Sequence, residues 1–286
     1  MSSSSVVIVG AGLAGLACAK TLAAHGEPIR LFDKSRAAGG RLATRRVELG
    51  GRTLSFDHGA QYLTSRGPLF TSMLDVLGAK PWIDAGRRVG VPNMSAIPRA
   101  LAGGMDITGL RQVTAIEGGP GAWRLRHVAP QRPDRQRPRD LPSEEDGPFT
   151  AVVLALPAPQ ALPLLGGPAP HLAEVLSTVR MAPCWTLMAA FAERLPLPDS
   201  QRLSGGPIGW AARDSSKPGR HHEDECWVVQ AGADWSREHL ERSPEEMLPV
   251  LLEAFGKLAG GTLPPPIHAA AHRWRYALTE VPLGAP

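Results

Sequence analysis

The chain has 286 residues, of which 43% are hydrophobic and 20% charged, and its formal net charge is +4. This balance is ordinary for a globular protein and excludes a collagen, a coiled coil and a wholly disordered chain. The length allows one large α/β domain or two smaller domains. Arg far outnumbers Lys, which reflects either a codon bias or a preference for phosphate and carboxylate groups.

Cysteine usage and hydropathy narrow the class of protein further. Three cysteines without CxxC spacing argue against a disulfide framework and against a zinc site. No apolar run approaches the ~20 residues of a membrane span, and no basic region precedes the first apolar stretch as in a secretory signal. We therefore expect a cytoplasmic protein with no metal and no membrane partner.

A strand, a glycine turn, a helix and a second strand follow one another at the start of the chain. Val6–Val9 predicts a short strand buried on both faces, as in a parallel sheet. The sequence GAGLAG follows at residues 10–15 and leads into a helical stretch, Leu16–Ala24. A second strand, Ile29–Phe32, ends at Asp33. This order is typical of a dinucleotide-binding βαβ unit.

Each glycine of this turn has a chemical reason. Gly10 permits the tight turn, Gly12 lets the backbone approach a pyrophosphate, and Gly15 lets the helix pack closely on the strand. The free N–H groups at the helix start favour phosphate, and Asp33 would accept hydrogen bonds from a ribose. The predicted nucleotide contacts of the turn are Gly10, Gly12, Leu13, Ala14 and Gly15.

An acid at position 33 suits the adenosine ribose of either NAD or FAD. The residues that follow it indicate which of the two cofactors is bound. The sequence GGRL at residues 39–42 places a backbone bend and a cation near the same pyrophosphate. An NAD dehydrogenase does not require this element, whereas it resembles the GG-R element of flavoproteins related to glutathione reductase and the amine oxidases. We predict FAD as the cofactor, with Arg41 as a pyrophosphate partner; the alternative for Arg41 is a solvated surface side chain.

Further segments carry a more specific pattern. They are FDKS at 32–35, FDHGAQY at 56–62, GVPNMSAI at 90–97, WVVQA at 227–231 with DWS at 234–236, and AHRWRYA at 271–277. Together they resemble the renalase family of FAD-dependent oxidoreductases, in its bacterial branch. FDHGAQY and AHRWRYA are the most specific of them, and the matching segments extend over nearly the whole chain.

The resemblance implies a fold, a reaction and a domain division. The fold is p-hydroxybenzoate-hydroxylase-like: an α/β Rossmann-type FAD-binding domain (1–66, 98–160 and 270–286) and a smaller mixed-sheet substrate domain (67–97 and 161–269). The reaction is oxidation of 2- and 6-dihydro isomers of NAD(P) to NAD(P)⁺, with O₂ reduced to H₂O₂. The flavin carries the hydride chemistry and a dihydropyridine loses no proton, so we predict no catalytic side chain.

The same resemblance implies which residues lie at the site. Those expected near FAD are Asp33, Lys34, Gly40, Arg41, Leu42, His58, Gly59, Ala60, Gln61, Tyr62, Val113, Ala155 and Leu156. Those expected near the dihydronicotinamide substrate are Asn93, Met94, Ser95, His272, Arg273 and Trp274. Plain core roles are the alternatives for Tyr62, Met94 and Val113.

The rest of the chain alternates between helix and strand patterns. Spacing predicts helices over Leu69–Leu77 and Pro244–Leu258 and strands over 113–116, 123–125, Ala151–Leu156, Thr186–Phe191 and Cys226–Ala231. Residues 129–148 are rich in Pro and charge, which predicts a solvated hairpin loop. They lack aromatic residues among the basic ones, so we expect no nucleic-acid partner. The prolines between 157 and 170 predict a break in regular structure.

The chain departs from the family after Tyr276, where ten residues remain. The family continues with a strand, a Gly-Asp element that contacts FAD, and a helix. We therefore expect either a truncated chain or a relative that binds FAD weakly. Two alternatives stay open: a flavin amine oxidase, and a nucleotide-binding module without turnover. The oligomeric state is open as well.

Overall fold

The computed structural model describes residues 5–130, 142–221 and 223–284. Its strands are β1 Val6–Val9, β2 Ile29–Phe32, β3 Arg45–Leu49, β4 Arg52–Phe56, β5 Lys80–Trp82, β6 Asp84–Val89, β7 Ile107–Thr108, β8 Gln112–Glu117, β9 Trp123–Val128, β10 Glu144–Phe149, β11 Ala151–Leu154, β12 Arg180–Phe191, β13 Ser200–Arg202, β14 Ile208–Arg213, β15 Glu225–Ala231 and β16 His268–Val281. Its α-helices are α1 Leu13–Ala24, α2 Pro68–Val76, α3 Ala96–Leu101, α4 Ala158–Leu165, α5 Pro170–Leu176, α6 Ala233–Glu238 and α7 Pro244–Leu258. The strands and helices expected from the sequence all occur.

The chain divides into two compact units, and each is discontinuous in sequence. The first consists of the described parts of Met1–Gly40, Pro98–Met181 and Glu280–Pro286. The second consists of Arg41–Ile97 and the described part of Ala182–Thr279. Residues 41–66 thus pack within the second unit. The two units are defined by packing, whereas the predicted domains are defined by the ligand that each would bind. The assignment of FAD to one domain and substrate to the other therefore stays a prediction.

The first unit is built on a four-stranded sheet in the order β11-β1-β2-β7. β1 pairs in parallel with β11 and β2, so that Val9 lies opposite both Leu154 and Phe32. The residues that follow these strands therefore meet at one edge of the sheet. The Gly10 N–H donates to the Phe32 carbonyl at 2.7 Å, and the Ala155 N–H donates to the Val9 carbonyl at 2.9 Å. This is the predicted Rossmann-type α/β arrangement.

A three-stranded antiparallel sheet, β10-β9-β8, completes the first unit. Its side chains Ile116, Leu125 and Phe149 share a core with Val7 and Phe32 of the parallel sheet. The prediction of a loop over 129–148 is wrong at its end, because 144–148 belong to β10, which pairs with β9. Residues 131–141 of that predicted loop lie outside the described residues.

The expected break between 157 and 170 is also wrong, because it contains α4. Pro159 lies in the first turn of this helix, where a backbone N–H would have no helical partner anyway. Ala161 and Leu164 are buried, and their packing outweighs the cost of Pro163 inside the helix. Tertiary packing here overrides the local preference of proline.

The second unit is built on a five-stranded sheet in the order β13-β14-β15-β12-β16. Successive residues of β12 alternate between two cores: Leu187 packs on one face with Met247 and Phe255 of α7. Met188 packs on the other face with Phe56 of the β3–β4 hairpin. The central strands are buried on both faces, which explains why their sequences read as continuous apolar runs. None of the helices in 5–130, 142–221 or 223–284 is long and apolar enough to cross a bilayer.

Substituting Gly15 should destabilise the first unit. A Cβ at Gly15 would lie 1.9 Å from the Gly10 carbonyl oxygen, so helix and turn would have to separate. We expect Gly15→Ala to lower the free energy of unfolding by about 1–3 kcal/mol, measured by urea denaturation. Gly166→Ala is the control, because Gly166 has right-handed helical angles and a Cβ there meets nothing within 4 Å. Equal stability of the two variants would contradict this account.

Candidate dinucleotide and substrate sites

The turn between β1 and α1 packs tightly against the segment after β11. Gly10 has a φ of +108°, and a Cβ on it would lie 2.6 Å from the Ala155 carbonyl oxygen and 3.1 Å from a Leu156 methyl group. Ala155 and Leu156 therefore lie beside the turn, as their predicted place near the nucleotide requires. Gly10 and Gly15 have steric reasons within the fold itself, independent of any ligand.

Gly12 differs from Gly10 and Gly15 because the space beside it is open. A Cβ at Gly12 would meet nothing within 4 Å, and its φ of −78° needs no glycine. The first intrahelical bond of α1 runs from the Leu16 N–H to the Gly12 carbonyl at 3.0 Å, so the N–H groups of Leu13, Ala14 and Gly15 precede it. An anion could approach these donors closely at a position without a side chain.

The paired glycines form the neighbouring wall of this space. The Gly39 N–H donates to the Ala11 carbonyl at 2.9 Å, and Gly40 has a φ of +53°. A Cβ at Gly40 would lie 3.3 Å from the Gly12 Cα. The glycine turn and the paired glycines, 28 residues apart in sequence, thus form one backbone cradle in the first unit.

Asp33 is held at the edge of the cradle by its backbone. One carboxylate oxygen accepts the Ala11 N–H at 2.7 Å and the other accepts the Ser35 N–H at 2.7 Å. Each oxygen retains a further lone pair that a ribose hydroxyl could use. Lys34 is exposed beside it. Val113 is partly buried against the core of the first unit, so its side chain has a packing role whether or not an adenine lies nearby.

In the second unit Arg41 connects two of the predicted segments. Its carbonyl accepts the Ala60 N–H at 2.8 Å, and its guanidinium donates to the Ala277 carbonyl at 3.0 Å. A Cβ at Gly59 would lie 2.1 Å from the Arg41 carbonyl oxygen, so glycine is required at 59. Leu42 is buried. Within 5–130, 142–221 and 223–284, the exposed Arg41 side chain makes no other hydrogen bond, so its remaining N–H groups could bind a ligand.

Four charged side chains, one of them Asp57 of the FDHGAQY segment, are buried together, and they were not predicted from the sequence as a group. Lys217 is fully buried and donates to Asp214 at 2.6 Å, to Asp57 at 3.2 Å and to the Gln61 amide oxygen at 3.3 Å. Arg220 donates to Asp57 as well and to the Gly90 carbonyl at 2.6 Å. We call Asp57, Asp214, Lys217 and Arg220 the buried ion cluster.

The two carboxylates of the buried ion cluster differ in proton affinity. Burial alone would raise the pKa of Asp57, but Lys217 and Arg220 lower that pKa to about 2. For Asp214, burial and the neighbouring charge of Asp57 raise the pKa, with Lys217 opposing them. Asp57 is therefore ionised at neutral pH, and its carboxylate accepts the Met94 N–H.

Asp57 connects the predicted flavin segment to the predicted substrate segment. It accepts the Met94 N–H at 3.0 Å and the Thr44 hydroxyl at 2.7 Å. Ser95 donates its hydroxyl to Asn93 at 2.7 Å, and its N–H donates to Thr44 at 3.2 Å. Met94 is fully buried and Asn93 nearly so. Met94 and Asn93 therefore have structural partners, and a substrate role for 93–95 stays a prediction.

His58, His272 and Trp274 form one aromatic cluster. The His58 ring centroid lies 4.9 Å from that of His272 and 5.1 Å from that of Trp274, whose indole N–H donates to the His58 carbonyl at 2.9 Å. Burial lowers the pKa of His58 to about 3, with His272 and Arg45 adding to the shift. Burial and Arg45 lower the pKa of His272 to about 4. Both imidazoles are neutral at pH 7.

Arg273 lies apart from this cluster, on the other face of β16. Its guanidinium donates to the Leu240 carbonyl at 2.5 Å and to the Arg242 carbonyl at 3.1 Å, and lies 5.7 Å from the Trp185 ring centroid. The strand alternation separates it from His272 and Trp274. The structure thus gives Arg273 a role in holding the loop between α6 and α7.

Tyr62 and Gln61, the last residues of FDHGAQY, point to different partners. Gln61 is buried and donates to the Asp57 carbonyl, whereas Tyr62 is half-buried against Trp210 with ring centroids 5.7 Å apart. Gln230 donates to the Gly59 carbonyl at 2.7 Å and so ties this segment to β15. A lone Lys in the loop DSSKPGR, in a chain with few lysines, was the available signal for Lys217.

Two buried thiols lie on the central strands of the second unit. Burial raises the pKa of Cys184 to about 11 and raises that of Cys226 further above its ordinary value. Cys18 on α1 is only half-buried. Among the described residues, no group of three His, Cys, Asp or Glu side chains is arranged to hold a metal ion.

Comparisons with known proteins agree with this geometry. The profile of a family described as NAD(P)-binding Rossmann-like domain matches residues 8–77. Over 59 residues the chain is 44% identical to the lysine-specific histone demethylase 1 homolog 3 of Oryza sativa, in both the indica and japonica subspecies. That segment covers 21% of this chain and only 7% of the rice protein.

Solved structures match over nearly the whole chain. A candidate protoporphyrinogen oxidase from Exiguobacterium sp. 255-15 has a TM-score of 0.73 at 14% identity, covering 99% of this chain and 89% of that one. A double mutant of putrescine oxidase has a TM-score of 0.68 at 12% identity, covering 94% and 84%. Putrescine oxidase bound to putrescine has a TM-score of 0.63 at 13% identity over the same shares. At these identities the similarity establishes the fold alone.

The neutral state of His58 predicts a pH dependence of stability. An unfolded histidine takes up a proton below about pH 6.5, whereas folded His58 resists protonation down to about pH 3. Its contribution to stability is therefore complete above pH 6.5 and is lost progressively as the pH falls. Between pH 6 and 4, His58→Phe should reduce the slope of unfolding free energy against pH by about 1.4 kcal/mol per pH unit, measured by urea denaturation. An unchanged slope would contradict the assignment.

Proposed function

We propose that this protein is an FAD-dependent oxidoreductase of the amine-oxidase-like superfamily. The observation that carries the proposal is the backbone cradle of the first unit, in which the space beside Gly12 is open while Gly10 and Gly15 are closed in by their neighbours. A pyrophosphate needs such a gap beside a helix N-terminus. The cradle therefore fits the diphosphate of a dinucleotide cofactor.

Within the first unit, the N–H groups at the start of α1 would bind the pyrophosphate and Asp33 would accept ribose hydroxyls. Within the second unit, taken by itself, we propose Arg41 as a cation for a phosphate. We propose His58, Trp274 and the backbone of Gly59 as groups for contact with a flavin ring. Because both imidazoles of the aromatic cluster are uncharged at neutral pH, they would offer stacking surface without repelling a cationic product.

For the substrate we propose the 2- and 6-dihydro isomers of NAD(P), as the renalase-like segments FDHGAQY and AHRWRYA suggest. A bound flavin would supply hydride acceptance and transfer of the electrons to O₂, giving NAD(P)⁺ and H₂O₂. The dihydronicotinamide ring loses a hydride and no proton, so the protein needs to orient it and exclude water. This is consistent with neutral side chains in the aromatic cluster.

An amine oxidase is the second candidate function. The specific observation in its favour is the similarity of fold to putrescine oxidase over 94% of this chain. Such an enzyme would remove hydride from a carbon beside an amine. The two functions share the cofactor and differ in the charge of the substrate, which a direct comparison of substrates can resolve.

Gly12→Ala tests the cofactor site. A Cβ here enters open space, so the chain should fold with a loss of stability below about 1 kcal/mol, while the methyl group occupies room needed by the pyrophosphate. We expect the dissociation constant for FAD to rise about tenfold or more, measured by titrating the chain with FAD and following protein fluorescence. Gly166→Ala should bind FAD like the parent. Parent protein that takes up no FAD would contradict the proposal and favour a module without turnover.

Anaerobic mixing tests the reaction. We expect 2- or 6-dihydro-NAD(P) to bleach the flavin absorption of the loaded protein rapidly, and H₂O₂ to form when O₂ is admitted. Ordinary 1,4-dihydro-NAD(P) serves as the matched control. Rapid bleaching by putrescine or an aromatic amine, with none by the dihydronicotinamides, would instead establish the amine oxidase.

A further inference from the structure

Two arginines of the second unit lie on one pair of aromatic rings. The guanidinium carbon of Arg87 is 5.1 Å from the Tyr62 ring centroid and 5.9 Å from that of Trp210. The guanidinium carbon of Arg202 is 5.4 Å from the Trp210 centroid, and its N–H donates to the Tyr62 hydroxyl at 3.2 Å. Arg202 and Trp210 lie directly opposite each other on β13 and β14, so their side chains share a sheet face.

This group has hydrogen-bond donors without matching acceptors. Trp210 is 6% exposed, and its buried indole N–H has no hydrogen-bond partner among the described residues. The Tyr62 oxygen accepts from Arg202, which leaves its own O–H free to donate. Among the described residues, no carboxylate pairs with Arg202. A native protein rarely leaves a buried donor unsatisfied unless a ligand or water completes it.

The acceptor that does lie nearby is already engaged. Asp84 pairs with Arg87 at 3.4 Å, and it also accepts the N–H groups of Gly86 and Arg87 at 2.9 and 3.0 Å. The balance of the group is therefore two cations against one exposed carboxylate. An ammonium ion would be repelled here, whereas an anion with several oxygens would find free donors.

We propose that Tyr62, Arg87, Arg202 and Trp210 form an anion subsite that receives a carboxylate or phosphate group of the substrate. This inference rests on the proposed function, in that the group belongs to the molecule being oxidised. It favours an acidic or phosphorylated substrate over a polyamine. Phosphates of a dinucleotide and the carboxylate of a small acid share the required chemistry, and the experiment below separates them.

Calorimetric titration of the FAD-loaded chain tests the subsite without turnover. The probes are inorganic pyrophosphate, succinate and putrescine. We expect at least one anion to bind, and Arg202→Gln and Arg87→Gln each to weaken it about ten- to hundredfold. Arg194→Gln is the matched control, because Arg194 lies in the same unit with a side chain 71% exposed and should leave binding unchanged. Binding of pyrophosphate alone identifies a phosphate site, and binding of succinate alone a carboxylate site.

Three results would overturn the subsite: neither anion binds, Arg194→Gln weakens binding as much as Arg202→Gln, or putrescine binds as tightly as the anions. Kinetics add a second measurement. Arg202→Gln should raise the KM for isomeric dihydronicotinamide mononucleotide, which has a phosphate, and spare that for the corresponding riboside. If no dihydronicotinamide reduces the flavin, the proposed function fails, and the titration still decides the subsite. If the chain takes up no FAD, the same titration on the unloaded chain decides it.

Discussion

Two carboxylates without access to water constrain the second unit to one arrangement. Asp57 and Asp214 can remain buried only because Lys217 and Arg220 reach them, and loss of one partner from such a group costs about 3–5 kcal/mol. The segments that carry these four side chains must therefore all pack together in the folded state. The Asp57 N–H of FDHGAQY donates to the Asp214 carboxylate at 3.2 Å, and the Met94 N–H donates to the Asp57 carboxylate at 3.0 Å. The backbone of both predicted ligand-facing segments is therefore bound directly to the buried ion cluster.

Local patterns made most of the first unit predictable. The strand, glycine turn, helix and acid at 6–33 depend on contacts between near neighbours, and the structure reproduces Val6–Val9, Ile29–Phe32 and the helix between them. The roles assigned to Gly10 and Gly15 also follow from geometry that any βαβ unit shares. Where packing competes with local preference the prediction was wrong, as at α4, whose buried Ala161 and Leu164 outweigh Pro163.

The polar groups of the second unit were not predictable, because their partners are distant in the chain. Lys217 meets Asp57 across 160 residues, and Arg202 meets Tyr62 across 140. Nothing in the spacing of these residues indicates the contact, and a single sequence holds no record of which positions vary together. Arg273 illustrates the reverse case: it follows His272 directly, yet strand alternation sends its side chain to the opposite face, onto the carbonyls of Leu240 and Arg242.

The burial of Cys184 and Cys226 affects how well the protein would resist oxidation during the proposed reaction. The proposed reaction releases H₂O₂, which attacks the thiolate form of cysteine far faster than the thiol. Both side chains lie on central strands and keep their protons well above neutral pH, so almost no thiolate is present. If the proposed reaction runs, the core thiols of the second unit would therefore react slowly with its H₂O₂, and oxidation of cysteine would begin at the more accessible Cys18.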